Sequence, residues 1–273
     1  ADRPENAAYI LRNAGVRILL LEELAQWQTF CDVHDQLTEL MRVVTVQASI
    51  EKCDDGRVSA LHDWLPEKAE EQQPFTRDPH QMATIIYTSG TSGRPKGVML
   101  SHYNILTNAH GSSLVVPLSR DDLFLSFLPL SHTFERTAGY YVPMMCGATV
   151  AYARSLQQLL EDLLIVRPTI LVSVPRIYER VYSGIRAKLA EGPALNRKLF
   201  KLAVDIGYSR FEHQQGRSPG KISHLLWPIL ENLVAKKVMS RLGGRLRGAM
   251  SGGAALPAEA ARVGDKLAAA LVA

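Results

Sequence analysis

Between Tyr87 and Gly97 the chain reads YTSGTSGRPKG, a stretch with three glycines, two threonines, two serines and the amine of Lys96. Glycines let a backbone approach a ligand closely and turn successive N–H groups toward one anion. The hydroxyls of Thr88, Ser89, Thr91 and Ser92 add donors around Gly90 and Gly93, and Lys96 adds a mobile positive charge. Together these suit a polyphosphate. The alternative is an ordinary polar turn, which accounts for the glycines and serines but not for a lysine after so many hydroxyls. Two common phosphate loops are excluded by spacing. A Walker A loop needs glycine just before its lysine and Ser or Thr just after, where this chain has Pro95 and Gly97. The spacing of Gly90, Gly93 and Gly97 also fails the GxGxxG fingerprint.

His132, in PLSHTFE, is the second candidate for chemistry. Taken alone, an imidazole at a strand end is more often a structural hydrogen-bonding partner than a catalytic group. The other seven histidines show no metal-ligand spacing. Cys31, Cys53 and Cys146 are far apart, odd in number and form no CxxC pair, so neither a disulfide framework nor a zinc site is expected and a reducing, cytoplasmic home is.

The elements that must position these residues follow from period. The apolar, β-branched run ATIIY leads straight into the glycine-rich stretch, and DLFLSFLPL leads into His132. The helical ENAAYILRNAG feeds the strand-like VRILLLEE, and RVVTVQ, ATVAYA and TILVSVP are further strand-like runs. The helical HYNILTNAHGSSLVV, FERTAGYYVPMM and LQQLLEDLLIV fall between strands. Strands separated by helices predict βαβ units and a mostly parallel α/β sheet, with ligands at the carboxyl ends of the strands. The 273 residues, 47% hydrophobic and 21% charged, suffice for one large domain or two modest ones. The longest uncharged run, from Thr137 to Ala153, is broken by Pro143 and Gly147, which argues against a membrane span. From Arg176 to Leu242 the pattern is helical, with breaks at Gly192-Pro193 and QQGRSPGK, and RLRGAMSGG returns to strand and loop.

YTSGTSGRPKGVMLSH resembles, almost residue for residue, the phosphate loop of the adenylate-forming enzymes, the superfamily of acyl-CoA synthetases, luciferases and peptide-synthetase adenylation domains. FLPLSHTFER resembles that superfamily's second core motif, whose histidine lies between the acyl and nucleotide sites. SVPRIYERVYSGI and LRGAMSGGAALP resemble segments of long-chain fatty acid–CoA ligases, and the likeness extends to the opening DRPENAAYILRNAGVRILLLEE. The resemblance implies an α/β fold of layered, mostly parallel sheets flanked by helices. Residues 1–273 then read as part of the large amino-terminal AMP-binding domain, with a helical basic insert at about 176–242 and without the small carboxyl-terminal domain.

The resemblance also implies the chemistry. A fatty acid carboxylate attacks the α-phosphate of ATP and expels pyrophosphate, and the thiol of coenzyme A then displaces AMP from the acyl-adenylate. Thr88, Ser89, Gly90, Thr91, Ser92 and Gly93 would hold the β- and γ-phosphates, Thr88 would lie beside Mg²⁺, and Lys96 would neutralise the departing pyrophosphate. His132 would orient the carboxylate or line the route to the thioester site, and Gly252, Gly253 and Ala254 would run along the adenine and acyl pocket. For Glu135 and Arg136 a local ion pair stands beside a functional role. The segment LNRKLFKLAVDIGYSRFEHQQG resembles the longer synthetases and implies a long-chain fatty acid substrate. Two alternatives remain: transfer to a carrier protein in place of coenzyme A, and a non-catalytic nucleotide- or acyl-binding role.

Between Arg176 and Arg247 the chain carries fifteen Lys and Arg against five Asp and Glu, while the remainder carries sixteen against twenty-two. Ile177, Val181, Ile185 and Leu189 form an apolar stripe with basic neighbours, which reads as a buried face with a solvated flank. The functional alternative is attraction to an anionic membrane surface or to the phosphates of coenzyme A. Nucleic acid is disfavoured, since no recognition motif accompanies the charge. The chain opens at Ala1, within family-like sequence, and the Tyr-Gly-x-Thr-Glu run that follows SGGAALP in relatives is absent. The later ribose-binding aspartate and mobile lysine are also absent, and the KLAAAL near the end resembles either a vector-derived tail or a native helix end. The expectation is a truncated chain that performs neither half-reaction by itself.

Overall fold

The computed structural model describes residues 3–47, 53–68, 78–88 and 94–254. The chain divides into two compact units, residues 1–104 and 105–273.

The first unit opens with α1 (Pro4–Asn13), which has proline in its first turn, Glu5 near the positive end of the helix dipole and Arg12 near the negative end. It continues through β1 (Ile18–Leu21) and α2 (Leu24–Gln28), the latter started by a capping box between Glu23 and Gln26. A 3₁₀ turn (Cys31–Gln36), β2 (Arg42–Thr45), β3 (Val58–Ala60) and α3 (Leu61–Trp64) follow. The three strands pair in parallel in the order β1-β2-β3, as the alternation of elements predicts. Ala8, Trp27, Phe30, Val33, Leu37, Leu40 and Val43 form the core of this unit. Trp27 stacks on His34 at 4.2 Å, and the guanidinium of Arg57 lies 5.3 Å from its ring centre.

One pair stands outside the mostly parallel pattern, that of β4 (Met82–Thr88). This strand pairs antiparallel with β5 (Lys96–Ser101), so the glycine-rich stretch connects a hairpin and not a βα crossover. The reason is length: a crossover to a parallel neighbour takes about a dozen residues or more, and only residues 89–95 separate the two strands.

After α4 (His102–Val115) come β6 (Leu123–Ser126) and the short α5 (Thr133–Glu135), which passes through a π-helical turn into α6 (Val142–Cys146). β7 (Thr149–Tyr152), α7 (Leu159–Val166) and β8 (Ile170–Ser173) lead into the long helices α8 (Pro175–Glu191) and α9 (Ala194–Gln214). One helical run then spans a 3₁₀ turn (Ile222–Leu226), α10 (Trp227–Leu230), a π turn (Glu231–Ala235) and α11 (Lys236–Ser240) before β9 (Gly248–Ser251).

The strands of this second unit pair in the order β7-β6-β8-β9, all in parallel. Leu125 and Leu171 pack on one face with Leu159, Leu163, Met239 and Leu242, while Phe124, Ile170 and Val172 face Ala138 on the other. Both faces are covered, which is why the central strands LFLS and ILVS are apolar without alternation. Ile177 and Val181 of the α8 stripe pack against the first of these clusters, so the stripe begins in the interior. The second half of the helical segment has its own small core, in which Ala203 and Ile206 of α9 meet Trp227, Leu230 and Ala235.

Candidate functional site

The hairpin mouth in the first unit carries the first group of candidates. Thr88 and Lys96 face each other in the last register pair of the β4–β5 ladder, and both are exposed. Directly opposed residues of an antiparallel pair share a face with their Cβ atoms about 5 Å apart. One hydroxyl and one amine therefore stand together where the loop leaves and rejoins the ladder. Gly97 lies opposite Tyr87, and a Cβ built on it would come within 2.8 Å of Ile85 Cγ2 and 3.0 Å of Tyr87 Cζ. Strand packing is by itself a reason for glycine there. Ser89, Gly90, Thr91, Ser92 and Gly93 lie outside the described residues.

Helix α1 braces both flanks of this loop, a feature the sequence reading missed. Tyr87 donates its phenolic hydrogen to Asn13 Oδ1 at 2.6 Å, and burial pushes the phenol's pKa up, which keeps it a donor. Arg94, a second cation of the stretch, holds its guanidinium 5.8 Å from the ring centre of Tyr9. Where β5 ends, Ser101 and Asn104 exchange hydrogen bonds, Asn104 N–H to Ser101 Oγ at 3.2 Å and Ser101 N–H to Asn104 Oδ1 at 3.0 Å, and so cap the start of α4. For Mg²⁺ the donor set is sparse. Among the described residues no group of three or more His, Cys, Asp or Glu converges, which leaves the Thr88 hydroxyl as an isolated candidate ligand that fits an ion carried in on a polyphosphate.

The remaining candidates meet at the carboxyl edge of the parallel sheet in the second unit. β7 lies on one side of β6 and β8 on the other, so the chain changes direction between β6 and β8. In doubly wound sheets the crevice at such a reversal is where ligands bind. The segment after β6 brings in His132, the turn after β8 brings in Val174, Pro175 and Arg176, and the segment after β9 brings in Gly252, Gly253 and Ala254; all line one open cavity of about 470 Å³. A second cavity, of about 580 Å³, is walled by Val115, Leu118, Ala138, Val142 and Met250 among others. His132, Phe134 and Gly253 line both.

His132 is exposed and stands just before α5, its backbone N–H donating to the Pro129 carbonyl at 2.9 Å and its carbonyl accepting from Arg136 N–H at 3.0 Å. The next residues hold this turn in place. Arg136 Nε donates to the Leu130 carbonyl at 3.0 Å, and Ser126 Oγ at the end of β6 donates to Glu135 Oε1 at 2.6 Å. Glu135 is 1% exposed, and its burial pushes the carboxyl pKa up against the opposing effect of the Ser126 bond. The Phe134 ring closes on Gly252, where any Cβ would overlap it, and Gly253 has φ of +81°. Glycines at 252 and 253 thus let the β9 segment pass under an aromatic wall. Tyr178 of α8 donates to the Met250 carbonyl at 3.0 Å and ties α8 to β9.

Comparison with known proteins gives the family and the fold. The family model for AMP-binding enzyme matches residues 2–272. Long chain acyl-CoA synthetase 6, peroxisomal, from Arabidopsis thaliana is 39% identical over 189 residues, covering 69% of this chain and 26% of that protein. Long chain acyl-CoA synthetase 5 of the same plant is 30% identical over 262 residues, covering 91% of this chain and 38% of that protein. The chain therefore spans well under half the length of these curated relatives. Among solved structures, ATP-bound MatB from Rhodopseudomonas palustris is similar with a TM-score of 0.54 and 25% identity, over 66% of this chain and 34% of that one. The A domain of a carboxylic acid reductase from Segniliparus rugosus, in complex with AMP and a co-purified carboxylic acid, aligns over 98% of this chain and 42% of its own, with a TM-score of 0.63 and 18% identity. The chain belongs to the AMP-binding enzyme family, and its layered α/β fold is that of the amino-terminal domains of adenylate-forming enzymes.

Proposed function

We propose that this chain supplies the ATP- and acyl-binding part of a long-chain fatty acid–CoA ligase. The observation that carries the reading is the meeting of His132 with Gly252, Gly253 and Ala254, distant in sequence, at the reversal point of a parallel sheet. The adjoining cavity, walled by Val115, Leu118, Phe134, Val142 and Met250, offers an apolar surface of the kind an acyl chain requires. The names of the relatives support coenzyme A as acceptor and a long-chain acid as substrate.

In this reading the fatty acid carboxylate lies near His132, which orients it by hydrogen bonding while the tail lies along the apolar cavity. The carboxylate oxygen attacks the α-phosphorus of ATP, the bond to the bridging oxygen breaks, and pyrophosphate leaves with the negative charge. Thr88 and Lys96 would meet that charge, as the resemblance of their stretch implies. Mg²⁺, carried by the phosphates, would be met by the Thr88 hydroxyl. Gly252 to Ala254 would run beside the adenine.

The test uses the protein that carries this sequence, in whatever length sustains the exchange. Lys96→Ala is expected to slow fatty-acid-dependent ATP–pyrophosphate exchange by roughly 10²-fold, the scale for removing one charge-stabilising donor. Exchange at the parental rate would remove Lys96 from the site. Presenting coenzyme A and a carrier-protein thiol separately in the second half-reaction then identifies the acceptor.

A further inference from the structure

The helical run from Ile222 to Ser240 is apolar on two opposite faces. One face is used: Trp227, Leu230, Ala235 and Met239 are buried. The other is not. Ile222 is 88% exposed, Leu225 79%, Ile229 58% and Leu233 47%, with Leu226 beside them at 46%. Their spacing repeats at three and four residues, so they form one continuous stripe along the helix. A helix that is apolar all round is normally covered on every side, and a contiguous exposed apolar patch marks an interaction surface.

Charge identifies what the stripe meets. Lys221 stands immediately before it, and Lys236, Lys237 and Arg241 lie just beyond its other end, all of them exposed. From Lys221 to Arg241 the sole acidic residue is the half-buried Glu231. Two copies of this chain packed stripe to stripe about a two-fold axis would press these cations against their equivalents, which opposes self-association. An apolar stripe bounded by cations is instead the arrangement of a helix lying in a membrane interface, its side chains among the acyl chains and its cations at anionic headgroups. No described helix is long and apolar enough to cross a membrane, so the contact is with the surface. The basic stripe of α8, for which such attraction stood as the alternative to a buried face, is a poorer candidate because its first apolar residues are spent on the core.

We propose that the face formed by Ile222, Leu225, Leu226, Ile229 and Leu233 docks this protein on an anionic lipid surface, with Lys221, Lys236, Lys237 and Arg241 meeting the headgroups. The experiment is sedimentation of the 273-residue chain with phosphatidylcholine vesicles, with and without phosphatidylserine, across a salt series. Binding is expected to phosphatidylserine-containing vesicles and to weaken as salt rises. The pair Leu225→Asn and Ile229→Asn, and separately the pair Lys236→Gln and Lys237→Gln, should each lower the partition coefficient by roughly ten-fold or more. Thermal unfolding unchanged from the parent shows that the exposed substitutions leave the fold intact. Where the asparagine pair lowers it, Leu225→Met and Ile229→Met, which keep the apolar surface, should retain parental binding. Equal binding to neutral vesicles, or binding unaffected by either pair, overturns the proposal. So does a dimer that the asparagine pair dissociates without any vesicle binding. Binding by this chain that vanishes in a longer chain carrying the same sequence shows the stripe covered by another part of the protein, and also overturns it. None of these readouts depends on ATP or on turnover, so the result stands apart from the catalytic assignment.

Discussion

Glu135 has little room for a charge. It is 1% exposed, Oε1 accepts from Ser126 at 2.6 Å, and Oε2 has no hydrogen-bond partner among the described residues. An unpaired buried carboxylate is costly, and the group answers by holding its proton to higher pH. The sign follows from linkage. Between the unfolded carboxyl pKa, about 4.3, and the raised folded value, the native state binds more protons than the unfolded one, so stability declines as pH rises through that interval. Glu135→Gln keeps the shape and an acceptor for Ser126 but cannot ionise. It is expected to match the parent near pH 4 and to be the more stable of the two near pH 7. Denaturant unfolding at both pH values checks this, and a variant less stable than the parent at pH 7 would show that Glu135 is held as a carboxylate.

At the scale of the elements, the strands that carry the site are locked at the opposite edge of the same sheet. Asp122, just before β6, is 2% exposed and accepts hydrogen bonds from Ser119 N–H at 2.8 Å, from Thr169 Oγ at 2.7 Å and from Arg247 Nε at 2.7 Å, with Arg247 Nη2 on its other oxygen. Arg247 Nη2 also donates to the Pro117 carbonyl at 2.7 Å. The entrances to β6, β8 and β9 are thereby joined by side chains. Burial works to raise the Asp122 pKa, but the Arg247 guanidinium, the Ser119 amide and the Thr169 hydroxyl prevail and hold it at about 2. Because the folded value lies below the unfolded one, this stabilisation is fully present above about pH 4 and fades as pH falls toward 2. Arg247→Met leaves the buried carboxylate without its cation. The expected loss is about 2–3 kcal/mol at pH 7, less than for a fully buried pair because the Arg247 side chain is 36% exposed. The acid transition should also move to higher pH. Chemical unfolding at pH 7 and an acid titration read the two effects, and a variant matching the parent in both would dissolve the lock.

At the scale of the whole molecule, the chain joins a hairpin that presents Thr88 and Lys96 to a parallel sheet that presents His132 and Gly252. In the proposed reading each would supply part of what adenylation needs. The 273 residues contain no Tyr-Gly-x-Thr-Glu run, which the resemblance assigns to adenine stacking and to holding Mg²⁺. Each missing source of charge stabilisation costs on the order of 3 kcal/mol in rate. The isolated chain is therefore expected to bind ATP weakly, with a dependence on Lys96, and to give no measurable pyrophosphate exchange. Calorimetry and an exchange assay test the two halves. Exchange by this chain at the rate of a longer relative would mean that its own residues suffice.

The sequence by itself determined what is encoded over a few residues. The glycines and hydroxyls around Lys96 and the strand-like runs ATIIY and TILVSVP each lie within one segment, and their types and spacing pointed to a polyphosphate and to the α/β class, while the likeness of YTSGTSGRPKGVMLSH and FLPLSHTFER to known motifs pointed to the family. Tertiary structure decided what depends on which distant segments meet. The strand after Lys96 went unread because its KGVMLS, exposed over most of its length, carries little apolar periodicity, and the antiparallel partner it gives β4 makes the glycine-rich stretch the connection of a hairpin. The brace from Tyr9 and Asn13 of α1 has no local signature, because neither side chain announces a partner so far along the chain. The approach of Gly252 to the Phe134 ring likewise exists only once β9 has paired with β8. The run from Ile222 to Ser240 shows the limit most plainly. Apolar residues occupy both of its faces, so its sequence specifies a helix with two surfaces to bury, and the packing of Trp227 and Leu230 against α9 selects which surface becomes core and which faces outward.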